Sequence, residues 1–141
     1  MRSAMVSGTP ALGRIGRYEL LARLGAGGMG EVFLARATGA AGFTKPVVIK
    51  RILPQLAGDE RFVQRFFEEG KLVVQLQHSS IAQVLDLGEF QGIPYMVMEH
   101  VDGQDLRELV RVMRSRGQSM STEVTAQLLV HVLEALDHAH G

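Results

Sequence analysis

Leu24-Gly25-Ala26-Gly27-Gly28-Met29-Gly30-Glu31-Val32 opens the stretch that decides the fold, and Val47-Val48-Ile49-Lys50 closes it. Glycines at 25, 27 and 30 give G-x-G-x-x-G, with Val32 close behind. Glycine has no Cβ and tolerates positive φ, so such a loop can lay backbone N–H groups against phosphate oxygens. A dinucleotide-binding loop of this form opens a helix and is followed by an acid about 20 residues later. Here the glycines lead into Glu31-Val32-Phe33-Leu34-Ala35-Arg36, which is β-prone and roughly alternating, and the base Lys50 stands where the acid would be. A Walker loop is excluded because no Gly-Lys-Ser/Thr follows the glycines. A plain hairpin turn would use the same residues. The order strand, glycine turn, strand, third strand ending in lysine instead describes a glycine flap over a nucleotide.

Moving outward, Tyr18 to Leu24 reads as the first strand, Glu31 to Ala37 as the second and Val47 to Leu53 as the third, with Pro46 at its start. Thr38 to Lys45 is a glycine-rich connection. A helix is predicted from about Asp59 to Leu76, with Phe62, Phe66, Val73 and Leu76 on one stripe and Glu69 in its middle. A carboxylate centred on an apolar face needs a partner, and Lys50 is the candidate. Val63, Phe67 and Val74 form a second stripe; Gly70 costs roughly 1 kcal/mol against alanine in a helix and has no reason in the sequence. Ile81 to Leu87 and Ile93 to Met98 read as strands joined by a turn at Gly88 to Gly92. The expected fold is α+β: a five-stranded antiparallel sheet with one packed helix, followed by two further helices. The first of these is capped by Asp105, with Glu108 completing a capping box, and stops at Gly117. The second, Thr122 to His140, is capped by Ser121 and has a broad apolar face.

Lys+Arg and Asp+Glu are both 15, so the net charge is zero and no general attraction to nucleic acid or an anionic membrane follows. Cysteine is absent, which excludes disulfides and thiolate chemistry. No apolar run approaches the roughly 18 residues of a membrane span. Met1 to Arg17 has no apolar core of a secretory signal and reads as a disordered leader. His131, His138 and His140 lack a completing acid or cysteine, so they read as helix surface and packing, with no metal.

The glycine loop and the lysine strand resemble the small lobe of a protein kinase, and the Gly-Gly-Met-Gly form is similar to the bacterial serine/threonine (Hanks-type) kinases. The resemblance implies a kinase small lobe over 18–98, a hinge over 99–104 and the start of the large lobe over 105–141. It implies ATP as cofactor. Gly25, Ala26, Gly27, Gly28, Met29 and Gly30 would cover the phosphates with backbone amides, and the flanking Leu24 and Glu31 would belong to the same cofactor-binding stretch. Lys50 would contact the α- and β-phosphates, held by Glu69, whose step to His78 fits the family's helix. Val32 and Val48 would sandwich the adenine, with Val48 where the family more often has alanine. Met98 would be the gatekeeper, the Glu99 carbonyl and Val101 N–H would bond the adenine edge, and Asp105 would meet the ribose besides capping its helix. Ser79 stands where proline often follows the histidine.

In the family, the last helix leads within a few residues to the H-R-D…N catalytic loop and then to the D-F-G aspartate that holds Mg²⁺. Neither motif occurs in these 141 residues. The expectation is therefore the front half of a cytoplasmic serine/threonine kinase, inactive by itself, that would act on a protein substrate when complete. It should expose the apolar face of its last helix. The alternative is a non-catalytic nucleotide- or partner-binding module.

Overall fold

In the computed structural model, which describes residues 12–141, the β-prone runs pair into one antiparallel sheet. Its strands are β1 (Gly13–Ile15), β2 (Tyr18–Gly27), β3 (Gly30–Thr38), β4 (Thr44–Ile52), β5 (Val84–Phe90) and β6 (Ile93–Glu99), in the order β1-β2-β3-β4-β6-β5. The sheet has six strands, not the five expected from the sequence. The additional strand, β1, falls within the stretch read as a disordered leader. Three residues are too few to show a period, yet Ile15 is 2% exposed and pairs with Tyr18. The remainder of that leader, 1–11, lies outside the described residues.

β4 explains why the sheet has two cores. It pairs with β3 along its length and with β6 from Val47 to Arg51. Because side chains alternate across a strand, Val47 and Ile49 join Ile15, Tyr18, Leu20, Phe33, Ala35 and Val97 on one face. Ile52 joins Phe66, Val84 and Met96 on the other. Ile49 is fully buried; burial of such a side chain is worth roughly 1.5–3 kcal/mol. Pro46 sits beyond the end of the β4–β6 ladder, where its missing N–H breaks no pairing on that side.

Two glycines mislead the sequence reading. Gly88 looked like part of a turn but lies inside β5, opposite Tyr95, where a Cβ would fall 2.9 Å from the Tyr95 hydroxyl. The turn is only Gln91-Gly92, with φ of +51° and +75°, the pattern of a type I′ hairpin. Gly70 looked unexplained. α1 (Glu60–Val74) lies so close to the sheet there that a Cβ would meet Leu87 Cδ1 at 2.9 Å and Met96 Cε at 3.1 Å. The buried face of α1 is therefore centred on Phe66 and Gly70, flanked by Val63 and Val73. Glu69 stands at its edge, with its side chain 48% exposed. The helix starts where Asp59 accepts the Arg61 backbone N–H at 3.0 Å.

The β1–β2 end of the sheet is closed by a polar chain: Arg17 Nη2 donates to the Tyr18 hydroxyl at 3.0 Å, which donates to Asp86 Oδ2 at 2.9 Å. Burial pushes the Tyr18 phenol above its ordinary 10.0, with the Arg17 hydrogen bond opposing and Asp86 reinforcing. Burial raises Tyr95 likewise, and its ring lies edge-on to Tyr18 at 6.2 Å. A group whose folded pKa is raised contributes stability that is complete below the unfolded value and lost as pH climbs through the folded one. Thermal unfolding across an alkaline series should therefore show stability falling above about pH 10. The double variant Tyr18→Phe/Tyr95→Phe should flatten that decline, and an unchanged slope would refute the assignment.

The described chain forms two compact units, one of residues 12–77 and 82–100 and the other of 78–81 and 101–141. The second holds α2 (Leu106–Ser115) and α3 (Thr122–His140). Asp105 caps α2 as expected, accepting the Glu108 N–H at 2.7 Å. The reciprocal half of the capping box is not made, because the Glu108 carboxylate binds Arg111 instead. Gly117, at φ +66°, ends α2 with the Gln118 N–H on the Met113 carbonyl, a Schellman closure. On α3, Leu129, Val132, Leu133 and Leu136 are exposed. No helix among the described residues is long and apolar enough to cross a membrane.

Candidate nucleotide-binding site

The glycine loop is the tip of the β2–β3 hairpin. Gly25 and Gly27 are strand residues paired with Val32 and Gly30, so only Gly28 and Met29 form the turn. Gly28 takes φ +57°, a conformation that a side chain resists. Leu24 falls at a register shift between Arg23 and Gly25, a bulge of the kind that sharpens strand twist. The tip is tied down by the Leu53 N–H, which donates to the Met29 carbonyl at 2.9 Å. No sequence spacing announces this tether.

The glycines differ in why they are glycine. At Gly30 a Cβ would stand 3.0 Å from the Arg51 carbonyl oxygen, so close backbone approach explains it. Gly28 is explained by its turn. At Gly25 and Gly27 a Cβ would meet nothing within 4 Å, and neither has positive φ. The fold does not need them, and together with Ala26 they leave bare, exposed backbone at the hairpin tip.

On β4, Lys50 Nζ lies 2.9 Å from Glu69 Oε1 on α1. The side chains are 33% and 48% exposed, and an ion pair so open to water contributes at most about 1 kcal/mol. Its consequence is positional: the ammonium is fixed in place. The sequence reading paired these residues correctly but for a different reason, since Glu69 is not buried.

Register places the rest. Val32, Lys50 and Met96 lie opposite one another across β3, β4 and β6, and Leu34, Val48 and Met98 do so one pleat along. Val32, Val48, Lys50 and Met98 therefore share a sheet face. Met98 also packs on the core beside α1. Glu31 is on the other face, aligned with Arg51 and Tyr95. It is 7% exposed, accepts from Arg51 Nε at 2.7 Å and lies 3.3 Å from Arg23 Nη2. Its carboxylate is a cross-strand tie, and only its backbone belongs to the loop.

Glu99 ends β6; its N–H donates to the Gln83 carbonyl at 2.9 Å and its Oε1 accepts from Gln83 N at 2.8 Å. In the second unit, Val101 is exposed and Asp105 is engaged as the α2 cap. His138 stacks on His78 with ring centroids 5.3 Å apart, and His131 lies 3.7 Å from Glu134.

Residues 18–141 match the protein kinase domain family, and the chain belongs to it. It is 37% identical over 131 residues to the tyrosine-protein kinase MasK of Myxococcus xanthus, an alignment covering 93% of this chain and 20% of that protein. It is 39% identical over 128 residues to the probable serine/threonine-protein kinase PknB of Corynebacterium glutamicum, covering 88% and 19%. Among solved structures it is similar to the Mycobacterium tuberculosis PknI kinase domain, with TM-score 0.67, 30% identity, and coverage of 94% of this chain and 52% of that one. The chain thus spans about a fifth of these curated relatives and about half of that solved kinase domain. The expected family and the α+β fold are both borne out, with the sixth strand as the correction.

Proposed function

We propose that these residues are the ATP-binding portion of a serine/threonine protein kinase that phosphorylates a protein substrate. The reading is carried by the Lys50 ammonium, held 2.9 Å from Glu69 on the sheet face that Val32, Val48 and Met98 share. The donor set fits a triphosphate: bare glycine backbone at Gly25 and Gly27 for its oxygens, and an anchored ammonium for its α- and β-oxygens. Apolar Val32, Val48 and Met98 suit a purine. Glu99, Val101 and Asp105 are assigned to the adenine edge and the ribose. ATP supplies the phosphoryl group; this chain's part is to grip and orient it.

Mg²⁺ does not fit the same residues. No group of three or more His, Asp or Glu side chains that could hold a metal occurs among the described residues. With neither H-R-D nor D-F-G in the sequence, we infer that these 141 residues bind nucleotide without transferring its terminal phosphoryl. We further infer that they work in the cytoplasm, where ATP is, and that with zero net charge they bind no nucleic acid.

Calorimetric titration with ATP tests the assignment. Lys50→Met should weaken binding about tenfold or more, since a charge-assisted contact is lost. Gly27→Val should also weaken it, while leaving the unfolding midpoint nearly unchanged because nothing in the fold crowds that position. Wild-type affinity in both variants would overturn the proposal.

A further inference from the structure

Away from the Lys50 face, a cavity of about 70 Å³ opens between β1, β4 and the β5–β6 hairpin, lined by Arg14, Ile15, Arg51, Phe90, Gln91 and Ile93. We propose that it binds one small phosphate-class oxyanion, at a site separate from the nucleotide.

The volume sets the class. At about 70 Å³ it is well below the roughly 300–1,000 Å³ of pockets that take drug-sized ligands, which suits one small oxyanion rather than a nucleoside. Charge sets the sign. Two guanidinium-bearing residues line the cavity and no carboxylate does. Two acids stand beside these arginines, and both are already engaged: Glu31 is shared between Arg51 and Arg23, and Glu19, opposite Arg14 in the β1–β2 ladder, is held by Arg36 at 2.8 Å. Two negative charges thus stand against Arg51, Arg23 and Arg36, and Arg14 adds a fourth positive. The acid of β5 beside the cavity, Glu89, alternates to the sheet face opposite Phe90.

The donors are partly fixed beforehand. Arg51 spends Nε on Glu31 and lies with Cζ 5.0 Å from the Phe33 ring centroid. Its two η nitrogens have no hydrogen-bond partner among the described residues. A guanidinium held by one edge, with its other donors open, suits paired hydrogen bonds to an oxyanion. Arg14 rides on a three-residue strand bounded by Gly13 and Gly16, both at positive φ, and among the described residues its side chain is tethered only by a 3.5 Å contact from Nη2 to the Arg17 carbonyl. It can adjust to a ligand at little cost. Gln91, the third polar lining residue, occupies a left-handed turn position more often filled by asparagine or glycine.

The test uses inorganic phosphate as the probe, titrated into the ¹⁵N-labelled chain at ionic strength held constant with chloride. Amide shifts should saturate at Arg14, Ile15, Gln91, Gly92 and their neighbours, as a set separate from any at Gly25 to Gly28. Arg14→Ala should weaken the binding about tenfold or more, Arg14→Lys should restore part of it, and Lys50→Met should leave it unchanged. O-phosphoserine titrated in parallel identifies the source: binding tighter than phosphate supports a phosphorylated side chain as ligand, and no binding supports the free anion. Shifts that fail to saturate, that chloride reproduces, or that survive Arg14→Ala undiminished would overturn the site.

Discussion

Replacing Gly70 by leucine is expected to destabilise the sheet unit by about 2 kcal/mol and to separate Lys50 from Glu69. Two effects oppose each other. Leucine is the better helix former, which favours the variant by about 0.8 kcal/mol or slightly less. Against this, the first added carbon alone would fall 2.9 Å from Leu87 Cδ1 and 3.1 Å from Met96 Cε. Three further carbons follow into a core already occupied by Phe66, Val84 and Met96. Overpacking a filled core costs typically 1–3 kcal/mol, so packing outweighs propensity. The strain is relieved most directly by moving α1 off the sheet, and Glu69 precedes residue 70. The variant should therefore lose ATP affinity as well as stability. Gly70→Ala is the control: its one carbon meets only the ends of flexible side chains, and its propensity gain offsets much of the contact. Denaturant unfolding and nucleotide titration of both variants check this. A leucine variant as stable as wild type would show that the helix approach is looser than the geometry implies.

That glycine also marks the limit of what was legible in the sequence. Local chemistry was readable: Asp59, Asp105 and Ser121 were identifiable as helix starts or caps, Gly117 as a stop, and Val47 to Leu53 as a strand. Each depends on residues within a few positions of one another. The contributions that escaped were those made by distant segments. Gly70 answers to Leu87 and Met96, Gly88 to Tyr95, and Gly30 to the backbone of Arg51. A glycine made necessary by a remote neighbour looks, in sequence, like one made necessary by a turn. Strand β1 escaped for a related reason, since its three residues are defined by pairing with Leu20, Glu19 and Tyr18.

The candidate site shows the same division. Lys50 and Glu69 were paired from helix periodicity and the family resemblance together, and they do meet. The supporting argument, that Glu69 sits buried on the apolar stripe, does not hold, because the face of α1 that packs is rotated toward Phe66 and Gly70. An edge position serves the proposed function better. A pair open to solvent on one side leaves the ammonium accessible to a ligand, whereas a fully buried pair would have its donors saturated.

Glu31→Ala should lower the stability of the sheet unit by about 2–3 kcal/mol while leaving ATP affinity within about twofold of wild type. The carboxylate side chain is 10% exposed and joins Arg23 of β2 to Arg51 of β4 across β3. Removing one partner of a buried ion pair costs about 3–5 kcal/mol, because the remaining charge keeps its desolvation and loses its compensation. Here Arg51 is 25% exposed and Arg23 is 53% exposed, so water recovers part of that loss and the lower figure applies. The second variant decides the cause. In Glu31→Ala/Arg51→Met the one guanidinium left without its carboxylate is the half-exposed Arg23, and most of the stability should return if the damage came from the uncompensated Arg51. If the double variant is as unstable as the single one, packing of the Glu31 side chain is responsible instead. The ligand arm tests the placement of this residue in the hairpin. Its side chain lies on the sheet face opposite Lys50, so a folded Glu31→Ala protein should grip ATP as wild type does. A loss of affinity larger than the loss of stability would mean that the carboxylate, rather than the backbone it rides on, takes part in holding the nucleotide.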